Sequence, residues 1–211
     1  MKGIRDPVYL SSSARILDMR ALLERFALAA FALAALASIS GCSNVPFDNV
    51  FMGDSITALW TSAPGANRGV PGNTTAKMLA RFQRDILGHG YHTFILLGGT
   101  NDVRYNLPLD KAIENIAAMA SQARASGQNV VLCEIIPLYE YNFTRDPTVR
   151  ALNAMIRQLA EDQHYYLVDY YDAMIGHPEY LKDQLHPSAL GYEVMDRVLT
   201  PVLEEIPADK R

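Results

Sequence analysis

A chain of 211 residues, 49% hydrophobic and 20% charged, has the composition of one globular domain with a sizeable core rather than two. Its net charge of -4, with no basic stripe, argues against nucleic acid as a partner, because phosphate binding needs clustered Lys and Arg. The two cysteines, Cys42 and Cys133, stand in unrelated contexts, so no disulfide framework is indicated, and no Cys/His cluster has zinc spacing.

The first feature in chain order is the run FALAAFALAALASI at 26–39, preceded by Arg15, Arg20 and Arg25 and followed by small residues. A basic region, a short apolar core and a small-residue end make a secretory signal, and the run is shorter than the roughly 20 apolar residues of a membrane span. Residues 1–41 are therefore expected to be a signal peptide. Residues 1–18 are long and Ser-rich for its basic part, and MRALLERF from Met19 is the more typical opening, which makes Met19 the expected true start. The end of the run, Ile39-Ser40-Gly41-Cys42, resembles the lipobox of bacterial lipoproteins. The resemblance implies lipidation of Cys42, a short tether over 42–48, and an exported protein anchored by lipid to the cell envelope, at the outer membrane or facing the periplasm. The intact mass of the mature N-terminus reads that modification directly.

Residues 49–211 read as the folded domain. Short runs rich in β-branched or aromatic residues, bounded by Gly or Pro, predict buried strands at 49–52 (NVFM), 67–70, 92–97 (HTFILL), 129–136 (NVVLCEII) and 165–170 (YYLVDY). Cys133, inside the fourth run, reads as a small buried hydrophobe. Between the strands lie stripes of period 3.6. These are Met78, Leu79, Phe82 and Ile86 within 74–87; Ile113, Ile116, Met119 and Ala120 within 109–123; Leu152, Met155, Ile156 and Leu159 within 147–163; and Leu190, Val194, Val198 and Val202 within 188–205. Strands alternating with helices imply an α/β fold, a parallel sheet covered on both faces.

In such sheets ligands bind beyond the carboxyl ends of the strands. The first strand delivers Gly53-Asp54-Ser55 to that edge, the second Pro71-Gly72-Asn73-Thr74, and the third Gly98-Gly99-Thr100-Asn101-Asp102. The fourth delivers a long loop with Tyr139, Tyr141 and Phe143, and the fifth leads to Asp183-Gln184-Leu185-His186-Pro187. The segments FMGDSITALW, NRGVPGNTT, LLGGTNDV and DQLHPSALGY resemble, in order, the four conserved blocks of the GDSL/SGNH hydrolases, with Ile56 where the name-giving Leu often stands. The resemblance covers nearly all of the chain after Asn44. It implies a flavodoxin-like three-layer α/β/α sandwich with five parallel strands, and an esterase or lipase that needs neither metal nor cofactor.

A serine hydroxyl needs a base within reach and an oriented imidazole behind it. Ser55 is the expected nucleophile, His186 its base, and Asp183 the group that holds the other ring nitrogen. The oxyanion of a tetrahedral intermediate needs preorganised donors, for which the backbone N–H groups of Ser55 and Gly72 and the side-chain amide of Asn101 are the candidates. Taken singly, Ser55 also fits a helix N-cap and Asn101 a turn residue after Gly-Gly. Asp54 and Asp102 read as braces of these turns. His164 imitates the Asp183/His186 spacing through Glu161, but it precedes the fifth strand and so belongs at the opposite edge, as do His89 and His92 before the third. His177 is on the correct side with Met174 three positions before it, and is the runner-up base. There is no G-x-S-x-G elbow, P-loop or G-x-G-x-x-G.

Trp60, Tyr105, Tyr139, Tyr141 and Phe143 are candidates for an acyl or sugar pocket, with packing of the loops as the competing role. The expected partner is a small-molecule acyl ester, lipid-like or O-acetyl. An acyltransferase acting on envelope glycans and a non-catalytic surface binding protein remain as alternatives, the last disfavoured by the complete residue set.

Overall fold

Three apolar runs build the centre of the sheet: β1 (Asn49–Gly53), β3 (Thr93–Leu97) and β4 (Asn129–Cys133), each buried from its second residue onward. Strands covered on both faces are apolar at every position rather than at alternate ones. β2 (Ala66–Gly69) and β5 (Tyr166–Val168) are shorter and only partly buried, as edge strands. The computed structural model describes residues 48–207, all within the second of two units, Met1–Asn44 and Val45–Arg211. The signal-like run and Cys42 lie outside the described residues.

The pairings among the five described strands are parallel and the strand order is β2-β1-β3-β4-β5. The helices are α1 (Ser55–Ala58), α2 (Thr75–Asp85), α3 (Thr100–Arg104), α4 (Leu109–Ala125), α5 (Asp146–Gln163), α6 (Tyr170–Met174) and α7 (Ala189–Glu205). They cover both sides, giving the three-layer α/β/α sandwich. Phe51 pairs with Ile95, and Phe94 with Val50. Paired residues share a face and neighbours alternate, so Phe51 and Phe94 point to opposite layers. On one side Phe94 meets Phe82 of α2 edge-on, with ring centroids 5.2 Å apart. On the other, Phe51 meets Trp60, which also packs against Tyr170 of α6 and Tyr192 of α7. Large side chains buried this fully contribute about 1.5–3 kcal/mol each. Trp60 satisfies its indole N–H by donating to Asp196 Oδ1 at 2.9 Å.

Two strands stop earlier than expected. The apolar run 129–136 ends as a strand at Cys133: Glu134 N still donates to Val168 O at 2.9 Å, but Asn153 of α5 takes over the backbone groups of Ile135. Asn153 accepts from Ile135 N and donates to Ile135 O, both at 2.9 Å. Ile135 and Ile136 are buried without being laddered. Likewise 165–170 yields only three strand residues, since Asp169 accepts from Asp172 N and caps α6 at Tyr170. Leu190 departs from its stripe. It is 45% exposed, lying in the first turn of α7, while Val194, Met195 and Leu199 reach the core.

Glu134 follows β4 and is 2% exposed. Its Oε1 lies 2.5 Å from Arg157 Nη2, which also contacts Asp169 Oδ2 at 3.0 Å. Burial first, and Asp169 second, push this carboxyl up to about 8 against the opposing pull of Arg157. The folded chain keeps this proton up to about pH 8 while the unfolded chain releases it near 4.5, so the preference for the protonated carboxyl contributes to stability. That contribution is complete below 4.5 and is lost as pH rises from there to about 8. The Tm of Glu134→Gln, which is neutral throughout, should therefore gain on the native protein between about pH 5 and pH 8. A Tm difference that stays constant over this range would show that Arg157 keeps Glu134 ionised.

Candidate active site

The order β2-β1-β3 places a switch point between β1 and β3, where the chain turns from building the sheet one way to building it the other. The segments after these two strands flank it. Asp54 caps α1 by accepting from Ile56 N at 2.9 Å, which leaves Ser55 as the first residue of that helix. Gly53 is required at the strand end, because a Cβ there would sit 1.9 Å from Thr57 Oγ1 and 2.7 Å from Leu97 O. The cap is thus Asp54, and Ser55 is released from that duty.

His186 comes from the segment before α7. Its Nε2 lies 2.9 Å from Ser55 Oγ, and its Nδ1 lies 2.8 Å from Asp183 Oδ2. Asp183 Oδ1 also accepts from the backbone N–H of His186 at 2.7 Å and of Leu185 at 3.3 Å, so the carboxylate is clamped to the loop that carries the imidazole. Burial works against its charge, but the N–H and ring of His186 hold it below the usual carboxylate range. With Nδ1 donating to the carboxylate, Nε2 is left as the acceptor of the serine proton.

Gly72 has φ +74, and a Cβ on it would meet nothing within 4 Å, so the backbone conformation rather than crowding selects glycine. Asn101 lies in α3 behind Gly99, itself at φ 121. Asn101 Nδ2 donates to Asn73 O at 3.0 Å and to Asp54 Oδ2 at 3.3 Å. Burial raises the Asp54 carboxyl to about 6, with the Ile56 N–H opposing. Asp102 bridges α3 to the start of α2, accepting from Thr75 N at 2.9 Å and Thr75 Oγ1 at 2.7 Å. Asp54 and Asp102 are the turn braces that the sequence suggests.

Ser55, Gly72, Asn101, Asp183 and His186 line one open cleft of about 490 Å³, together with Pro71, Arg104, Glu140 and Leu185. All the expected site residues among the described ones meet here. Arg104 and Glu140 escape the sequence reading. They form a forked pair, Nε to Oε2 at 2.6 Å and Nη2 to Oε1 at 3.1 Å, between residues 36 positions apart. The only local signal is that Arg104 sits three residues after Asn101, on the same side of a helix.

Of the two roles open to the aromatics, lining the cleft is not the one taken by those whose side chains are described, and the Tyr141 side chain lies outside the described residues. Trp60 is in the core, and Tyr139 stacks on Phe143 with its hydroxyl accepting from Gly176 N at 2.8 Å. Tyr105 is 54% exposed and does not line the cleft. The other histidines stay out as well. His177 stacks on Tyr180 and pairs with Glu179, His164 ends α5 with φ 52, His89 contacts Arg84 O, and His92 faces Asp48. Among the described residues no group of three or more His, Cys, Asp or Glu could hold a metal ion.

A family model described as the GDSL-like Lipase/Acylhydrolase family matches residues 51–194. The structure of a GDSL-like lipase from Bacteroides thetaiotaomicron superposes with a TM-score of 0.72 at 28% identity, covering 82% of this chain and 96% of that one. An acetylxylan esterase of Geobacillus stearothermophilus is 25% identical over 153 residues, 62% of this chain and 68% of that protein. The structure of that esterase aligns over 74% of this chain and 93% of its own with a TM-score of 0.65; at 19% identity this is likeness of fold.

Proposed function

The chain belongs to the GDSL-like lipase/acylhydrolase family, whose members act on esters, and from that premise we propose that it hydrolyses short-chain esters of polar alcohols through an acyl-enzyme on Ser55. The observation that carries the mechanism is the continuous relay from Ser55 Oγ through His186 to Asp183, at 2.9 and 2.8 Å. Ser55 Oγ attacks the ester carbonyl carbon as His186 Nε2 takes its proton. The carbonyl oxygen becomes an oxyanion facing the N–H groups of Ser55 and Gly72 and the amide of Asn101. The longer of the two Asn101 donations, to Asp54 at 3.3 Å, is the one exchanged for the oxyanion. Collapse expels the alcohol, which receives the proton from His186. Water then repeats the sequence on the acyl-enzyme and leaves the carboxylic acid and free Ser55.

The walls favour a small acyl group. Only Pro71 and Leu185 are apolar among the nine lining residues, whereas Asn101, Arg104, Glu140 and Asp183 are polar or charged. A long chain gains about 0.8 kcal/mol per buried CH₂, and this cleft offers little surface on which to gain it. An acetyl group needs no such surface, and a glycan alcohol finds hydrogen-bond partners. The likeness to an acetylxylan esterase supports the same choice, an O-acetylated carbohydrate.

p-Nitrophenyl esters of graded chain length test this. kcat/KM for acetate should exceed that for octanoate by at least about tenfold, and an acetylated sugar should release free acetate. A preference for octanoate or longer chains would reject the short-acyl reading. Acetate appearing only on a second alcohol would make the protein an acyltransferase.

A further inference from the structure

The mechanism above uses neither Arg104 nor Glu140, yet both line the cleft and are oriented by more than each other. Arg104 has a third arm. Its Nη1 donates to Asn101 Oδ1 at 3.3 Å. A guanidinium can only donate, so it admits the carbonyl end of the Asn101 amide and rejects the NH₂ end. The opposite end of that amide faces two acceptors, Asn73 O and Asp54 Oδ2. With the amide reversed, donor would face donor at Arg104 and acceptor would face acceptor at Asn73 and Asp54. We propose that Arg104 is a positioning residue that locks the Asn101 amide with its NH₂ toward the oxyanion, and that Glu140 holds Arg104 in place to do so.

Two further contacts give the lock rigidity. Arg104 sits three residues after Asn101 on a helix of only five residues, too short to hold a long side chain by itself. The fork to Glu140 supplies that restraint, since two parallel charge-assisted bonds fix the plane of the guanidinium. Glu140 is in turn held by its own segment. It opens a 3₁₀ turn, Glu140–Phe143, and the residue before it, Tyr139, donates its N–H to Gln184 O at 3.0 Å. Gln184 lies between Asp183 and His186. The linkage therefore runs from the oxyanion donor through Arg104 and Glu140 to the loop carrying the base, and ties the two arms of the site across the cleft. Glu140 fills the Nε/Nη2 edge of the guanidinium and Nη1 is turned to Asn101, so the group is arranged to orient Asn101.

The inference rests on the oxyanion role proposed for Asn101, and a double-mutant cycle separates the two. kcat and KM for p-nitrophenyl acetate are measured for the native protein, Asn101→Ala, Arg104→Met and the double variant, with melting curves for each. Asn101→Ala should lower kcat about 100-fold or more. Arg104→Met keeps the apolar stem and removes every donor. It should lower kcat on the order of tenfold with KM within about threefold, since its effect is misplacement of a donor that matters in the transition state. In the Asn101→Ala background the Arg104 substitution should change kcat by less than about twofold, because there is no amide left to orient. Losses that multiply in the double variant, or a change in KM alone, would overturn the positioning role while leaving the oxyanion assignment standing. An unchanged kcat in Asn101→Ala would overturn both. Should Arg104→Met unfold, the same cycle with Glu140→Gln decides, the expectation being a smaller kcat loss that again vanishes without Asn101.

Discussion

Ser55→Ala should abolish ester hydrolysis and leave the fold intact. The hydroxyl is bonded to His186 Nε2, and α1 is capped by Asp54 through Ile56 N, so removing one oxygen leaves the helix start undisturbed. The catalytic loss is of another order. Without Oγ no acyl-enzyme forms, and any residual turnover must come from water attacking directly an ester whose carbonyl oxygen sits in the oxyanion site. Loss of several kcal/mol of barrier lowering corresponds to a rate reduction on the order of thousands-fold or more. Initial rates on p-nitrophenyl acetate, with a melting curve to show that the variant is folded, make the measurement. A fluorophosphonate should add one adduct to the native protein, on the peptide carrying Ser55, and none to Ser55→Ala. A folded variant with native kcat would remove Ser55 from the mechanism.

The residues of that mechanism were legible because each lies in a short segment whose constraints are local. Gly53, Asp54 and Ser55 occupy the strand end, the cap and the first helical position in three consecutive places, and Asp183 reaches His186 across a single turn. Alternation of strand and helix then puts all these segments on the carboxyl edge of the sheet, so topology assembles what local pattern identifies. Arg104 and Glu140 were not legible for the complementary reason. Their pairing depends on how the segment after β4 folds back, and that path uses a 3₁₀ turn with positive φ at Asn142 and Phe143, which no hydrophobic period encodes. The aromatics of the same segment fit a pocket or loop packing equally by sequence, and Tyr139 and Phe143 take the packing role by stacking on each other. The run 129–136 was too long as a strand because burial alone cannot distinguish a laddered residue from one, such as Ile135, whose backbone is satisfied by a side-chain amide. Short helices such as α3 and α6, of five residues each, complete too few turns to print a stripe.

His186→Ala should be nearly as damaging as Ser55→Ala, and the double variant scarcely worse than either. Nucleophile and base act as a unit, so once one is gone the other has nothing left to contribute, and the two losses do not multiply. The relay distances of 2.9 and 2.8 Å place this imidazole, among the described histidines, in contact with Ser55. His164 is the informative control, because Glu161 precedes it by the same three residues that separate Asp183 from His186. It closes α5 ahead of β5, at the edge of the sheet away from Ser55, and its carbonyl accepts from Arg124. Because its backbone is left-handed at φ 52, His164→Asn is the substitution of choice, for Asn tolerates that conformation. His164→Asn should retain kcat within about twofold, while His186→Ala falls on the order of thousands-fold. The reverse result would place the base on the amino-terminal edge of the strands and refute the strand-edge assignment from which the whole site is built. A His186→Ala loss that multiplied with that of Ser55→Ala would mean that the two residues serve different steps, and the serine would need another base.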